Sequence, residues 1–89
     1  MDTAGIYREL TEIFRDVFDD DSIVLTPDTT AADIHDWDSA NHVNLIVAIE
    51  VRMKIKFKTI EIESLHNVGH LVNLIEQKLN AKAGSALPA

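Results

Sequence analysis

Three stretches of the chain repeat apolar residues at steps of three and four, and this helical periodicity most limits what the chain can fold into. They cover residues 3–18, 39–53 and 68–80. Each is preceded by residues suited to an N-cap, namely Asp2 or Thr3, Asp38, and Asn67. The pattern therefore predicts three long helices.

The segment after the second stretch allows two interpretations. Met53, Ile55 and Phe57 alternate with lysines, as they would in a half-buried strand. A single strand without a partner would leave its backbone hydrogen-bonding groups unsatisfied. We therefore predict an extended link followed by a short helix at residues 60–65. The expected fold class is all-α, a small four-helix bundle of three long helices and one short one.

A long loop is predicted between helices one and two, over residues 19–38. A loop of about 20 residues is unusual in so small a domain unless it is functional or held against the core. Four apolar residues could hold it: Ile23, Leu25, Ile34 and Trp37.

The 89 residues suit a single domain, which we place at residues 1–80, followed by a flexible C-terminal tail at 81–89. The chain has no cysteine, so a disulfide framework and a thiolate metal site are both excluded. The first ten residues lack the basic and apolar regions of a signal peptide, and no apolar run approaches the ~18 residues of a membrane span. We expect a monomeric cytoplasmic protein.

The acidic residues are concentrated in the first half of the chain. The net charge is −7, and 11 of the 15 acidic residues stand at or before Asp38, whereas 6 of the 8 basic residues follow it. The electric field of a net negative chain repels nucleic-acid phosphates and anionic lipid headgroups. No nucleic-acid partner and no membrane insertion are expected.

The central helix carries two apolar stripes that point in nearly opposite directions. The first consists of Leu45, Ile46, Ile49 and Met53, and the second of Ala40, Val43, Val47 and Val51. Either the helix is buried on both sides, or the second stripe is a docking surface. The second stripe begins one residue after Ser39, which stands at the positive end of the helix dipole, where a phosphate ester would be stabilised. Alternatively, Asp38 and Ser39 only cap the helix.

The segment DWDSANHVNLIVAIE closely resembles the attachment region of acyl and peptidyl carrier proteins. Their Asp-Ser-Leu signature reads Asp38-Ser39-Ala40 here and follows Trp37. Upstream, TPDTTAADIHDWD is similar to their long first loop, and downstream FKTIEIESLHNVGHLVNLIEQKL is similar to their third and fourth helices. The resemblance extends from about Ile6 to Leu79.

The resemblance implies that the protein is a carrier and catalyses nothing itself. Ser39 would bear a covalent phosphopantetheine arm from coenzyme A, beside Asp38, and the thiol of the arm would hold an acyl or amino-acyl group as a thioester for biosynthetic enzymes, as in fatty acid or polyketide biosynthesis. The implied partners are a phosphopantetheinyl transferase, an acyl- or amino-acyl-loading ligase, and downstream synthases or transferases.

The chain departs from the family pattern in its predicted partner surface. Ala40 replaces the usual leucine, and Asn44 and Val51 stand at positions that are often acidic, while Glu50 remains. Pairing with partners is therefore expected to depend more on Val43 and Val47 than on charge. The predicted surface comprises Ala40, Val43, Asn44, Val47, Glu50 and Val51.

Other functions are weaker interpretations of the same residues. A hydrolase using Ser39 and His42 lacks a G-x-S-x-G elbow, and a histidine three residues along the same helix cannot complete a triad. His66 and His70 could share a helix face, but two histidines without a third ligand indicate no metal site. The acidic run from Asp19 fails the calcium-loop spacing. A small helical interaction module without a prosthetic group is the remaining alternative.

Overall fold

The computed structural model describes the backbone of residues 2–85 and the side chains of residues 2–81. The elements in chain order are α1 (Thr3–Phe18), a 3-10 turn (Ala31–Asp33), α2 (Ser39–Met53), α3 (Thr59–Glu63) and α4 (Val68–Ser85). Among the described residues there is no β-strand. The predicted all-α bundle of three long helices and one short helix is confirmed.

Acidic or amide side chains cap the start of each long helix, because its first backbone N–H groups have no partner within the helix. Asp2 accepts a hydrogen bond from the Gly5 N–H at 2.8 Å, and Asp38 accepts one from the Asn41 N–H at 2.9 Å. Asn67 does the same for α4, accepting from the His70 N–H at 2.9 Å. All three helix starts are therefore as predicted.

The core lies between α1, α2 and α4. Each helix turns its apolar stripe inward, and the loop adds two residues; the buried set includes Ile6, Leu10, Ile13, Phe14, Ile23, Ile34, Leu45, Ile49, Val68, Leu71, Val72 and Ile75. Arg52 connects α2 to α1 by ion pairs with Glu9, at 2.8 Å, and with Glu12. These pairs are solvent-exposed, so burial of the apolar stripes contributes far more to holding the helices together.

The long loop is held against the bundle by apolar contacts, as its apolar residues predict, and by backbone hydrogen bonds. Ile23 and Ile34 are buried, and Leu25 and Trp37 pack against the core. The loop also supplies two carbonyl acceptors to the start of α4: the Val68 N–H donates to the Thr29 carbonyl at 2.8 Å, and the Gly69 N–H to the Pro27 carbonyl at 2.9 Å.

Gly69 is required for this close approach. A Cβ atom added there would lie 3.0 Å from the Pro27 carbonyl oxygen, tighter than ordinary carbon–oxygen contact. A side chain at position 69 would therefore push the loop away from α4.

The link between α2 and α3 has no regular secondary structure and pairs with no strand among the described residues. Lys58, at its end, is extended, as predicted for the link. Lys54 ends α2 in the left-handed conformation, with φ 58°. Ile55 is buried and Phe57 half-buried, and the Phe57 N–H donates to the Glu50 carboxylate at 2.8 Å. A side chain of α2 thus satisfies a backbone group that a neighbouring strand would otherwise have to satisfy.

The short helix α3 is held to α4 by an ion pair. The Lys78 ammonium lies 2.8 Å from a Glu61 carboxylate oxygen. Hydrogen bonds from the Lys78 side chain and the Lys58 backbone N–H lower the pKa of Glu61. The carboxylate consequently stays ionised, and available to Lys78, to a lower pH than an isolated glutamate would.

The C-terminal helix is longer than its periodicity predicts, continuing past the expected end near Asn80 to Ser85. The predicted flexible tail at 81–89 falls partly on residues 86–89, which lie outside the described residues, so the boundary at 80 stays a prediction. Within residues 2–85, no helix combines the length and apolar character needed to cross a membrane.

Candidate functional site

Ser39 is the first residue of α2, and its side chain is exposed. The cap of the helix is Asp38 rather than Ser39, since the Asp38 carboxylate accepts the Asn41 N–H. The Ser39 hydroxyl forms no hydrogen bond to any described residue. The serine is therefore presented at the positive end of the helix dipole with its hydroxyl available for reaction.

Trp37 fixes the loop immediately before the serine. Its indole meets the Phe14 ring edge-on, with ring centroids 5.2 Å apart, and packs beside the Phe18 ring, with centroids 6.2 Å apart. Its Nε1–H donates to His42 Nδ1 at 3.0 Å, and the two rings lie nearly parallel, with 24° between planes and 6.0 Å between centroids. The predicted role of Trp37 as a loop anchor is confirmed.

Replacing Trp37 with alanine is expected to destabilise the protein by about 3 kcal/mol, the lower end for loss of an aromatic side chain, because the indole is half-buried. Urea unfolding followed by circular dichroism measures the change. Trp37→Phe is the matched control, since it keeps an aromatic ring against Phe14 and should recover most of the loss. Equal stability of Trp37→Ala and the parent would show that the loop is held without the indole.

A cavity of about 430 Å³ opens beside Ser39. One wall is the start of α2 with the preceding loop, and the other is formed by α3 and the start of α4. Both walls combine polar and apolar side chains, and the lining includes Trp37, Asp38, Ser39, His42, Ile62, Glu63, Leu65, His66 and Leu71. Ser39 therefore lines an open groove between the start of α2 and α3.

The two stripes of α2 have different environments. Leu45, Ile46, Ile49 and Met53 are buried, whereas Val43, Val47 and Val51 have 59%, 52% and 73% of their surface exposed. Ala40 and Asn44 are exposed on the same side. The alternative of a helix buried on both sides is wrong, and the second stripe is an apolar surface open to solvent.

Glu50 differs from the other residues of the predicted partner surface. It is half-buried, and its carboxylate accepts the Phe57 N–H. The neighbouring Arg52 is paired with Glu9 and Glu12 of α1. Charged groups at this end of α2 are thus engaged within the chain, and valines dominate its open surface.

The two histidines considered as metal ligands do not share a helix. His66 lies in the turn before α4 and His70 lies within it, so the helix face that they could have shared is not formed. Their rings still meet edge-on, with centroids 5.6 Å apart. Within the described part of the chain, no group of three or more histidine, cysteine or acidic side chains could hold a metal ion.

Comparison with known proteins decides between the remaining interpretations. No family model matches the chain. The acyl carrier protein of Petrotoga mobilis is 31% identical over 80 residues, covering 90% of this chain and 94% of that protein. The chain belongs to the acyl carrier protein family. The solution NMR structure of the holo acyl carrier protein of Geobacter metallireducens is 52% identical, with a TM-score of 0.84 over 92% of this chain and 94% of that one.

Membership of the acyl carrier protein family makes the chain a carrier rather than a catalyst, and it disfavours the interaction module without a prosthetic group. Sequence analysis identified Ser39, Asp38 and the outer surface of α2, but it missed the opposite wall of the groove. His66 and Leu65, in the segment between α3 and α4, line the groove together with residues of α2 far from them in the chain. The contact between Trp37 and His42 was also missed. The two residues are five apart, and helical periodicity pairs only residues three or four apart.

Proposed function

We propose that this acyl carrier protein is modified on the Ser39 Oγ with phosphopantetheine from coenzyme A. The observation that carries the proposal is the free, exposed Ser39 hydroxyl at the first residue of α2, beside an aspartate that already caps the helix. The thiol of the bound arm supplies a site for an acyl or amino-acyl thioester.

The residues around Ser39 fit such a group. A phosphodiester on the Ser39 oxygen lies at a helix N-terminus, where unpaired N–H groups and the helix dipole favour negative charge. The adjacent groove has apolar side chains, Ile62, Leu65 and Leu71, against which the aliphatic parts of the arm can rest. Asp38 keeps the first turn of α2 in place by capping it.

Among the described residues, His42 is the imidazole on the same face of α2 as Ser39, and it is not free to act as the base through Nδ1. During transfer the Ser39 Oγ forms a bond to the pantetheine-bearing phosphorus of coenzyme A. The pyrophosphate bond breaks, adenosine 3′,5′-bisphosphate departs, and the hydroxyl proton passes to a base. His42, one turn further along α2, accepts the Trp37 N–H at Nδ1, so its lone pair there is occupied. A phosphopantetheinyl transferase therefore supplies the base, and the carrier supplies a positioned hydroxyl.

We place the partner surface on the outward face of α2, at Ala40, Val43, Asn44, Val47 and Val51, with Glu50 at its margin. Its exposed valines favour enzymes that dock through apolar contact rather than through an acidic helix. The partners are the transferase, an acyl- or amino-acyl-loading ligase, and downstream synthases or transferases. The protein acts as a cytoplasmic monomer.

Co-expression with a broad-specificity phosphopantetheinyl transferase, followed by intact-mass measurement, tests the modification. A gain of one arm per chain, with the modified peptide containing Ser39, supports the proposal. Unmodified protein from cells in which the same transferase modifies another carrier protein would contradict it.

Replacing Val47 with aspartate is expected to slow arm transfer or acyl loading about tenfold, the effect of losing about 1.4 kcal/mol of docking energy. Stability should change by no more than about 0.5 kcal/mol, since the side chain is half exposed. Val24→Asp is the matched control, because Val24 is 74% exposed but lies in the long loop. Equal slowing by both variants would remove α2 as the specific docking surface.

A further inference from the structure

The hydrogen bond between Trp37 and His42 determines which imidazole nitrogen carries the proton. An indole nitrogen can only donate, so His42 Nδ1 must accept, at 3.0 Å. Neutral His42 therefore carries its proton on Nε2. The two rings lie nearly parallel, with 24° between planes and 6.0 Å between centroids, as expected for two rings joined edge to edge by this hydrogen bond. The side chain presents a hydrogen-bond donor of fixed identity.

His42 lies on the same face of α2 as the serine. Residues 39 and 42 are three apart on α2 and so are neighbours on one face of the helix. Both line the groove of about 430 Å³. His42 is partly buried there, whereas His66 on the opposite wall is exposed.

We propose that His42 positions the arm by donating from Nε2–H to a phosphate oxygen on Ser39, with Trp37 fixing the tautomer that makes this possible. The inference rests on the proposed function, because it requires the arm to be on Ser39. A phosphodiester carries one negative charge and offers only acceptor oxygens, which match a fixed donor. His42 is a positioning residue and takes no part in breaking or forming bonds.

The other ionisable groups of the groove serve this role less well. Asp38 and Glu63 are acidic and repel a phosphodiester, and the Asp38 carboxylate is occupied as the α2 cap. His66 contacts the His70 ring, and no hydrogen bond among the described residues fixes its tautomer. Of the groups that line the groove, His42 alone combines a donor of fixed identity with a place on the same helix face as Ser39.

Phosphorus NMR of the holo-protein tests the inference directly, at a pH above the range in which histidines titrate. The phosphodiester resonance of the folded holo-protein is expected to differ from that of the same protein unfolded in urea. His42→Phe should move the folded resonance toward the unfolded position. His42→Gln, which keeps an amide donor and an acceptor for Trp37, should largely restore it, and His70→Phe, outside the groove, should leave it unchanged.

Nitrogen NMR of the unsubstituted protein gives a second readout that does not depend on a variant folding. The His42 imidazole is expected as the Nε2–H tautomer in both the apo- and holo-protein, with the Nε2 resonance shifting when the arm is attached. A purely structural role for His42 would move neither this resonance nor the phosphorus signal.

The outcomes separate the two proposals, because intact mass is measured on every sample. An arm present on Ser39 with the same phosphorus resonance in His42→Phe as in the parent overturns this inference alone. Finding the Nδ1–H tautomer of His42 by nitrogen NMR also overturns this inference alone. If the phosphorus resonance moves in His66→Phe but not in His42→Phe, the donor lies on the opposite wall of the groove, and the inference about His42 is overturned. Absence of the arm overturns the proposed function and this inference with it.

Discussion

Replacing Ser39 with alanine is expected to abolish arm attachment completely while leaving the protein folded. The hydroxyl oxygen is the proposed point of attachment, so its removal leaves nothing to modify. Stability should change by no more than about 0.5 kcal/mol, because the side chain is exposed and Asp38 provides the cap. Intact mass after co-expression with the transferase measures attachment, and urea unfolding measures stability.

Ser64→Ala is the control for this experiment. Ser64 is also exposed at a helix terminus, but its hydroxyl already donates to the Ile60 carbonyl at 2.7 Å. This variant should accept the arm as the parent does. An arm retained in Ser39→Ala, or lost in Ser64→Ala, would place the modification elsewhere and contradict the assignment.

The largest expected loss of stability follows truncation of Ile49, on the inward stripe of α2. Its side chain is fully buried within the main core cluster. Ile49→Ala removes that burial and leaves a cavity, at a cost of about 2–5 kcal/mol. That is a large part of the ~5–15 kcal/mol available to a typical domain. The midpoint and slope of urea unfolding give the change.

Val51→Ala on the same helix is the matched control. Val51 is 73% exposed, so its truncation should alter the free energy of unfolding by no more than about 0.5 kcal/mol. Ile46 is buried but lies outside the main cluster, and Ile46→Ala should fall near the lower end of the range for Ile49. Similar losses for Ile49 and Val51 would mean that both stripes are covered in solution.

Local features were predictable wherever a residue acts on its own helix. Periodicity predicts the bounds of α1 and α2, and N-cap chemistry predicts their caps, Asp2 and Asp38. Both signals depend only on residues that are a few positions apart in the chain. Placing Ser39 at the start of α2 needed nothing more. Its proposed modification came from the resemblance of the whole segment, since an Asp-Ser pair before a helix is by itself only a cap.

The segment after Met53 shows why local pattern is insufficient elsewhere. Its alternation of Ile55 and Phe57 with lysines predicts a strand as well as an extended link. In the folded link a side chain satisfies the backbone instead of a strand: the Glu50 carboxylate, seven residues earlier on α2, accepts the Phe57 N–H. Periodicity reports which side chains turn inward, but it does not report which partner satisfies a backbone group.

The sequence by itself determined the starts of the three long helices, their caps and the place of Ser39, because these depend on spacing along one element and on contacts within one turn. Tertiary structure alone decided that the valine stripe of α2 faces solvent, that Pro27 and Thr29 of the loop accept N–H groups from the start of α4, and that α3 closes a groove beside Ser39. These features join segments far apart in the chain. Their geometry depends on how the buried faces of α1, α2 and α4 pack together, and no local pattern encodes that packing.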